Sequence, residues 1–187
     1  MVDPRFDRDA HLRSVLIGGR EQVTIVVQEY DPEWPARFSA LRTRLHDALA
    51  TQALDIEHIG STAVPGLDAK PIVDVLVTVA DVEDEPAYAP ALEAAGFSQR
   101  VRESGHRMFR TPERDVHVHV YQPGAAAVTD YLDLRDWLRQ SAHDRDLYAT
   151  TKRALAARQW ADMNDYADAK SDVITTILTR ARVWRST

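Results

Sequence analysis

The order of patterned segments along these 187 residues predicts an α+β fold, with a helical cap or tail at the C-terminal end. Three observations carry that expectation. Two β-rich runs, 55–59 and 71–79, bracket a small-residue turn. The segment 116–121 alternates strictly between valine and a polar or aromatic residue until its end. Beyond residue 128 only helical spacing remains.

Taken in order, residues 1–22 are polar, broken by Asp3-Pro4 and Gly18-Gly19, and read as an arm with a short helix around Ala10–Leu16. Val23-Thr24-Ile25-Val26-Val27 reads as a strand. Asp31 is expected to cap a helix with Pro32 in its first turn, and Trp34, Phe38, Leu41, Leu45 and Leu49 give it a buried face. Strands at 55–59 and 71–79 follow. Residues 81–86 read as an acidic, solvated linker, and Tyr88–Ala95 as a helix with Pro90 early in it and Gly96 closing it. His106–Thr111 and Val116–Tyr121 form a hairpin around Pro112-Glu113-Arg114. Three helices complete the chain. They are marked by Tyr131, Leu134 and Leu138, then by Leu147, Tyr148, Thr151 and Leu155, then by an apolar stripe from Tyr166 to Ala181. The expected organisation is therefore an arm over 1–22 and one domain over 23–187, with its sheet part at about 23–124 and its helical part at about 128–185.

Composition narrows the function classes. The chain is 44% hydrophobic and 28% charged, which suits a buried core. A net charge of −6 argues against nonspecific duplex nucleic acid and against an anionic membrane surface as partners. The absence of cysteine excludes disulfides and thiolate zinc sites. No apolar run reaches the roughly 18 residues of a membrane span, and no signal-peptide core is present, so a cytoplasmic location is expected. Of 23 basic residues only Lys70, Lys152 and Lys170 are lysines, which draws notice to each.

Three constellations suggest chemistry. Gly60-Ser61-Thr62 offers hydroxyls and amides at a turn, a cradle for phosphate. Asp74, inside the run Ile72-Val73-Asp74-Val75-Leu76-Val77, needs a partner, because a lone buried carboxylate is very costly. Asp115, His117 and His119 share one strand face, where they form either a metal or phosphate site or the solvent face of an edge strand. If that strand lies beside the Asp74 strand, one histidine can join the carboxylate. Cations stand beside apolar stripes on the last three helices: Arg135, Lys152 and Lys170 each follow a tyrosine by four residues. They either snorkel to water or face an anionic substrate from the cap. His58, Glu57, His106 and Arg107 are weaker candidates. No phosphate-binding loop of the Gly-x-x-x-x-Gly-Lys type is present.

The stretch "EHIGSTAVPGLDAKPIVDVLV", with "EYDPEWPARFSALRTRL" before it and "LRDWL…LYATTKRAL…YADAKSDVI" after it, resembles the GrpB (UPF0157) family of the nucleotidyltransferase superfold. The resemblance runs from about residue 29 to residue 182. It implies a nucleotidyltransferase-like mixed sheet with flanking helices. It also implies metal-dependent chemistry on a nucleotide and a small-molecule acceptor, with Mg²⁺ or Mn²⁺ and a nucleoside triphosphate as cofactors. Carried onto this chain, Asp74, His117 and His119 become metal-holding and catalytic residues. Gly60, Ser61, Thr62, Lys70, Arg135, Lys152 and Lys170 become substrate-binding ones. The superfold's second strand carboxylate would fall at 76, where this chain has Leu76. Members of the family also occur joined to dephospho-CoA kinase, which implies the alternative of a noncatalytic module binding a nucleotide or CoA-like ligand.

Overall fold

The computed structural model describes residues 4–21, 24–160 and 162–186. Its centre is a five-stranded mixed sheet in the order β1-β2-β5-β4-β3, built from β1 (Asp55–Ile59), β2 (Val73–Thr78), β3 (Ser98–Glu103), β4 (His106–Arg110) and β5 (Val116–Tyr121). β2 and β5 are parallel and the other pairings antiparallel. The β2–β5 register sets Asp74 beside His117 and Leu76 beside His119. Because strand side chains alternate, these four share one face, and Val73, Val75, Val77, Val116, Val118 and Val120 take the other.

The valine face packs on α2 (Trp34–Leu49) and α3 (Ala89–Ala94). Trp34, Leu45, Leu92 and Phe109 are fully buried in that cluster, and each such side chain contributes about 1.5–3 kcal/mol relative to exposure. The opposite face is covered by α4 (Ala126–Gln140), α5 (Ala142–Ala156) and α7 (Ser171–Arg185). There Ile59, Leu76 and Tyr121 meet Val128, Tyr131 and Leu132 of α4. Val64 and Leu67, from the loop before β2, join Leu138, Tyr148 and Ile177 in a second cluster. One helical layer is thus purely a core, and the other encloses a polar floor.

The α+β class, the mixed sheet and the helical cap agree with the sequence expectation; several elements differ from it. Thr24–Val27 forms no strand among the described residues, although Gln28 makes a single bridge to Ala69; Val23 lies outside the described residues. α2 begins at Trp34 with Pro35 in its first turn, while the Asp31 carboxylate accepts the Glu33 amide at 2.9 Å in the preceding turn. α1 (Pro4–Val15) is longer than the short helix expected in the arm. The polar edge strand β3 was not foreseen. It carries a bulge between Gln99 and Val101. The acidic segment 81–86 is not simply solvated: Glu83 and Glu85 pair with Arg107, which is 3% exposed. The last helical stripe is divided into α6 (Met163–Asp168) and α7, with Lys170 at the break.

Candidate functional site

Between the polar sheet face and the helical cap lies a cavity of about 300 Å³. Asp74 of β2 and His117 and His119 of β5 line it, each only partly buried. His117 Nδ1 lies 3.4 Å and His119 Nε2 3.7 Å from the same oxygen, Asp74 Oδ1. Burial opposes ionisation of Asp74, but the two imidazoles outweigh it and hold the carboxyl below the ordinary range. Candidate ligand atoms from the three side chains all fall within 4.8 Å of one another. A carboxylate oxygen and two imidazole nitrogens at that spacing fit one divalent ion. Leu76 packs with Ile59 and Tyr121, so the position that would bear a second carboxylate is apolar, and His119 beside it in register turns toward Asp74 instead.

His119 has a further partner. Its Nδ1 lies 3.2 Å from His106 Nε2, and the His106 ring stacks on Tyr121 with centroids 4.5 Å apart. Burial, aided by the neighbouring His119 and Arg107, pushes His106 down to about 3 and keeps it neutral. His106 thereby orients the imidazole whose other nitrogen faces Asp74, the role outer hydrogen-bond partners play at metal sites.

The turn after β1 reaches the same floor. Gly60 has φ +70, and a Cβ placed there would meet Asp74 Oδ2 at 2.4 Å. Only glycine allows both that backbone and that approach. Ser61 starts a short 3₁₀ turn, Ser61–Ala63, and its hydroxyl accepts Lys152 Nζ at 2.9 Å. Thr62 is in the wall, but its hydroxyl is engaged internally: it donates to Ile72 O at 3.1 Å and meets His58 Nε2 at 3.1 Å. Arg139 braces the turn from behind, donating twice to Ala63 O at 3.0 and 2.8 Å.

All three lysines converge here. Lys152, on α5 and 3% exposed, also donates to Asp68 O and lies 4.5 Å from the Tyr148 ring centre. Lys170 and Lys70 both approach Tyr166, at 4.7 and 5.7 Å. Burial, reinforced by Lys170, pulls Lys152 down to about 7 and Lys70 down to about 8. Lys170 is lowered by burial against the opposing pull of Tyr166 and Asp74. Such crowding of desolvated cations asks for an anion. Tyr166, 1% exposed, carries a buried hydroxyl with no hydrogen-bond partner among the described residues, and it too lines the cavity.

Four of the sequence candidates lie elsewhere. Arg135 is outside the lining, because its guanidinium is taken by Glu57 at 2.5 Å, Asp136 at 2.7 Å and His58 O at 3.0 Å. Glu57 is spent in the same pair. Asp115 turns to Arg37 and Thr111, each at 2.7 Å, so it does not join the two histidines. His58 packs on Phe38 on the core side of the sheet, and burial pushes it down to about 4. Sequence reasoning named His106 only as a weaker candidate and missed Tyr148, Tyr166 and the bracing residue Arg139. The tyrosine-then-cation spacing of four was the available signal for the first two.

The family described as GrpB protein matches residues 24–180. A UPF0157 protein of Streptomyces coelicolor is 57% identical over 166 residues, covering 89% of each chain. The crystal structure of conserved protein GrpB from Enterococcus faecalis superposes with a TM-score of 0.76 at 33% identity, over 85% of this chain and 99% of that one. The Cid1 poly(U) polymerase shares the nucleotidyltransferase fold with a TM-score of 0.50 at 15% identity, over 71% of this chain and 43% of that one. A dephospho-CoA kinase of Mycolicibacterium paratuberculosis is 27% identical over 183 residues, 82% of this chain and 45% of that protein.

Proposed function

We propose a function on the premise that this chain belongs to the GrpB family: it is a metal-dependent, nucleotidyltransferase-like enzyme that acts on a nucleoside triphosphate and a small-molecule acceptor. The observation that carries the reading is the convergence of Asp74, His117 and His119 with Ser61 and three lysines on one cavity. A divalent ion held by Asp74, His117 and His119 would neutralise triphosphate charge and polarise the α-phosphoryl group. Ser61 and the amides of its turn hold the outer phosphates. Lys152 and Lys170 from the cap, and Lys70 from the loop before β2, balance their charge in a partly buried setting where each contact counts for more than in water. Of the two ions expected from the sequence, Mn²⁺ suits this set better than Mg²⁺, which prefers oxygen ligands.

Calorimetric titration of nucleoside triphosphates with and without Mn²⁺ tests the reading. Wild type should bind in a metal-dependent manner, and Asp74→Asn should lose on the order of 100-fold in that affinity. Metal-independent binding that Asp74→Asn leaves intact would instead favour a noncatalytic nucleotide- or CoA-like-ligand module. The similarity to part of a dephospho-CoA kinase supports that second reading.

A further inference from the structure

A second cavity, of about 330 Å³, adjoins the first and shares Lys70, Ile72 and His117 with it. Its wall is rich in arginine: Arg100 on β3, Arg110 at the end of β4 and Arg114 in the hairpin loop. Arg110 is the cross-strand neighbour of His117, so its guanidinium rises from the same sheet face as the candidate metal residues. Into this wall the arm inserts one carboxylate. Glu21 accepts both terminal nitrogens of Arg110, at 2.9 and 2.7 Å, and Arg114 approaches it at 3.3 Å. The fork-on-carboxylate geometry is the form in which arginine recognises that group. The Arg110 hydrogen bonds, against the effect of burial, pull Glu21 down to about 2. Arg100, 7% exposed, is spent on the arm carbonyls of Ile17 and Gly19, so it steadies the wall without competing for an anion. Without Glu21, the acidic side chains left in this wall among the described residues would be Glu113 and Asp115, and Asp115 is already paired with Arg37.

We propose that this second cavity is the acceptor site, that it takes a small carboxylate-bearing molecule anchored on Arg110, and that Glu21 occupies the place of that carboxylate. The acceptor's other end would extend past His117 into the triphosphate cavity, and a carboxylate serving as anchor leaves a different group to act as nucleophile. The word acceptor rests on the nucleotidyl-transfer reading above; the carboxylate cradle does not, because it involves neither Asp74 nor a metal.

Succinate is the probe, titrated calorimetrically into metal-free protein. Glu21→Gln should bind it at least about tenfold more tightly than wild type, since the resident competitor loses its charge. Adding Arg110→Gln should remove that gain. Equal affinity in wild type and folded Glu21→Gln protein, or a gain that survives Arg110→Gln, would overturn the proposal. Should Glu21→Gln fail to unfold cooperatively, wild type decides. Saturable succinate binding lost in Arg110→Gln supports the cradle, and no saturable binding overturns it. A succinate site that stands while triphosphate binding fails would keep the cradle and sink only its role as an acceptor site.

Discussion

At Gly60 backbone and site chemistry are inseparable. Its φ of +70 and the 2.4 Å approach of Asp74 Oδ2 to a would-be Cβ mean that Gly60→Ala must displace either the turn or the carboxylate. It should cost about 2 kcal/mol, seen in urea denaturation, and weaken Mn²⁺ binding at the same time. Stability loss with unchanged metal affinity would show the turn and the carboxylate to be independent. Lys152 and Lys70 make a different prediction. Their folded values of about 7 and about 8 lie below the ordinary 10.5, so the unfolded chain binds more protons across that interval. In ligand-free protein these two groups make stability rise with pH from about 7 toward 10.5. A bound triphosphate, set among Lys70, Lys152 and Lys170 with Tyr148 and Tyr166 beside them, would favour the charged lysines. Binding near pH 8 should therefore take up protons and weaken as pH rises. Calorimetry in buffers of differing ionisation enthalpy reads that uptake directly, and zero uptake would remove the lysines from the phosphate site.

Elements decide which side chains arrive at the cavity, and the short helix α6 shows how. Asp162, fully buried, caps it by accepting the amides of Asn164 at 2.8 Å and Asp165 at 3.0 Å, and it also pairs with Arg20. Asp162→Asn keeps a good cap and weakens the ion pair, whereas Asp162→Ala removes both. The alanine variant should be less stable than the asparagine variant by about 1 kcal/mol, measured by denaturant unfolding, and should bind triphosphate more weakly because α6 carries Tyr166. Identical variants would mean the cap contributes nothing. The break between α6 and α7 was hidden in the sequence because the apolar stripe from Tyr166 to Ala181 runs through it in phase; the cap lies upstream, where no apolar pattern marks it. The edge strand β3 was hidden for the opposite reason: Ser98-Gln99-Arg100-Val101-Arg102-Glu103 buries only Arg100 and shows no apolar alternation. Thr24–Val27 misled because β-branched composition reports a tendency to pair but not the presence of a neighbour. The floor of the site was legible, since alternation fixes which face Asp74, His117 and His119 share once their strands are adjacent. Arg135 was not, because helical spacing puts it beside the cavity without revealing that Glu57 captures it.

For the whole molecule, the open question is how the arm relates to the domain it crosses. Among the described residues, none in the four apolar clusters precedes Ile25, although Leu12 of the arm is itself buried, and the family match starts at residue 24. The arm is also fastened by polar contacts. Ile17 N donates to Arg100 O at 2.9 Å and Leu16 bridges Val101, which covers the free edge of β3. Arg8 and Arg20 pair with carboxylates at the start and end of α6, and Glu21 joins Arg110. A chain lacking residues 1–22 should therefore still unfold cooperatively, with a midpoint lower by about 4–8 °C if the strap contributes about 2 kcal/mol. The gap should narrow as NaCl is raised from about 0.05 to about 0.5 M, because partly exposed ion pairs are screened over such distances. Backbone pairing along β3 is nearly indifferent to salt, so a constant gap would assign the strap to the edge-strand bonds and withdraw the ion pairs from its account. Shortened protein should also self-associate more readily, since β3 would then present unpaired amides and carbonyls along an exposed edge. Light scattering that finds it as monodisperse as the full chain would mean the side chains of Arg100 and Arg102 protect that edge unaided.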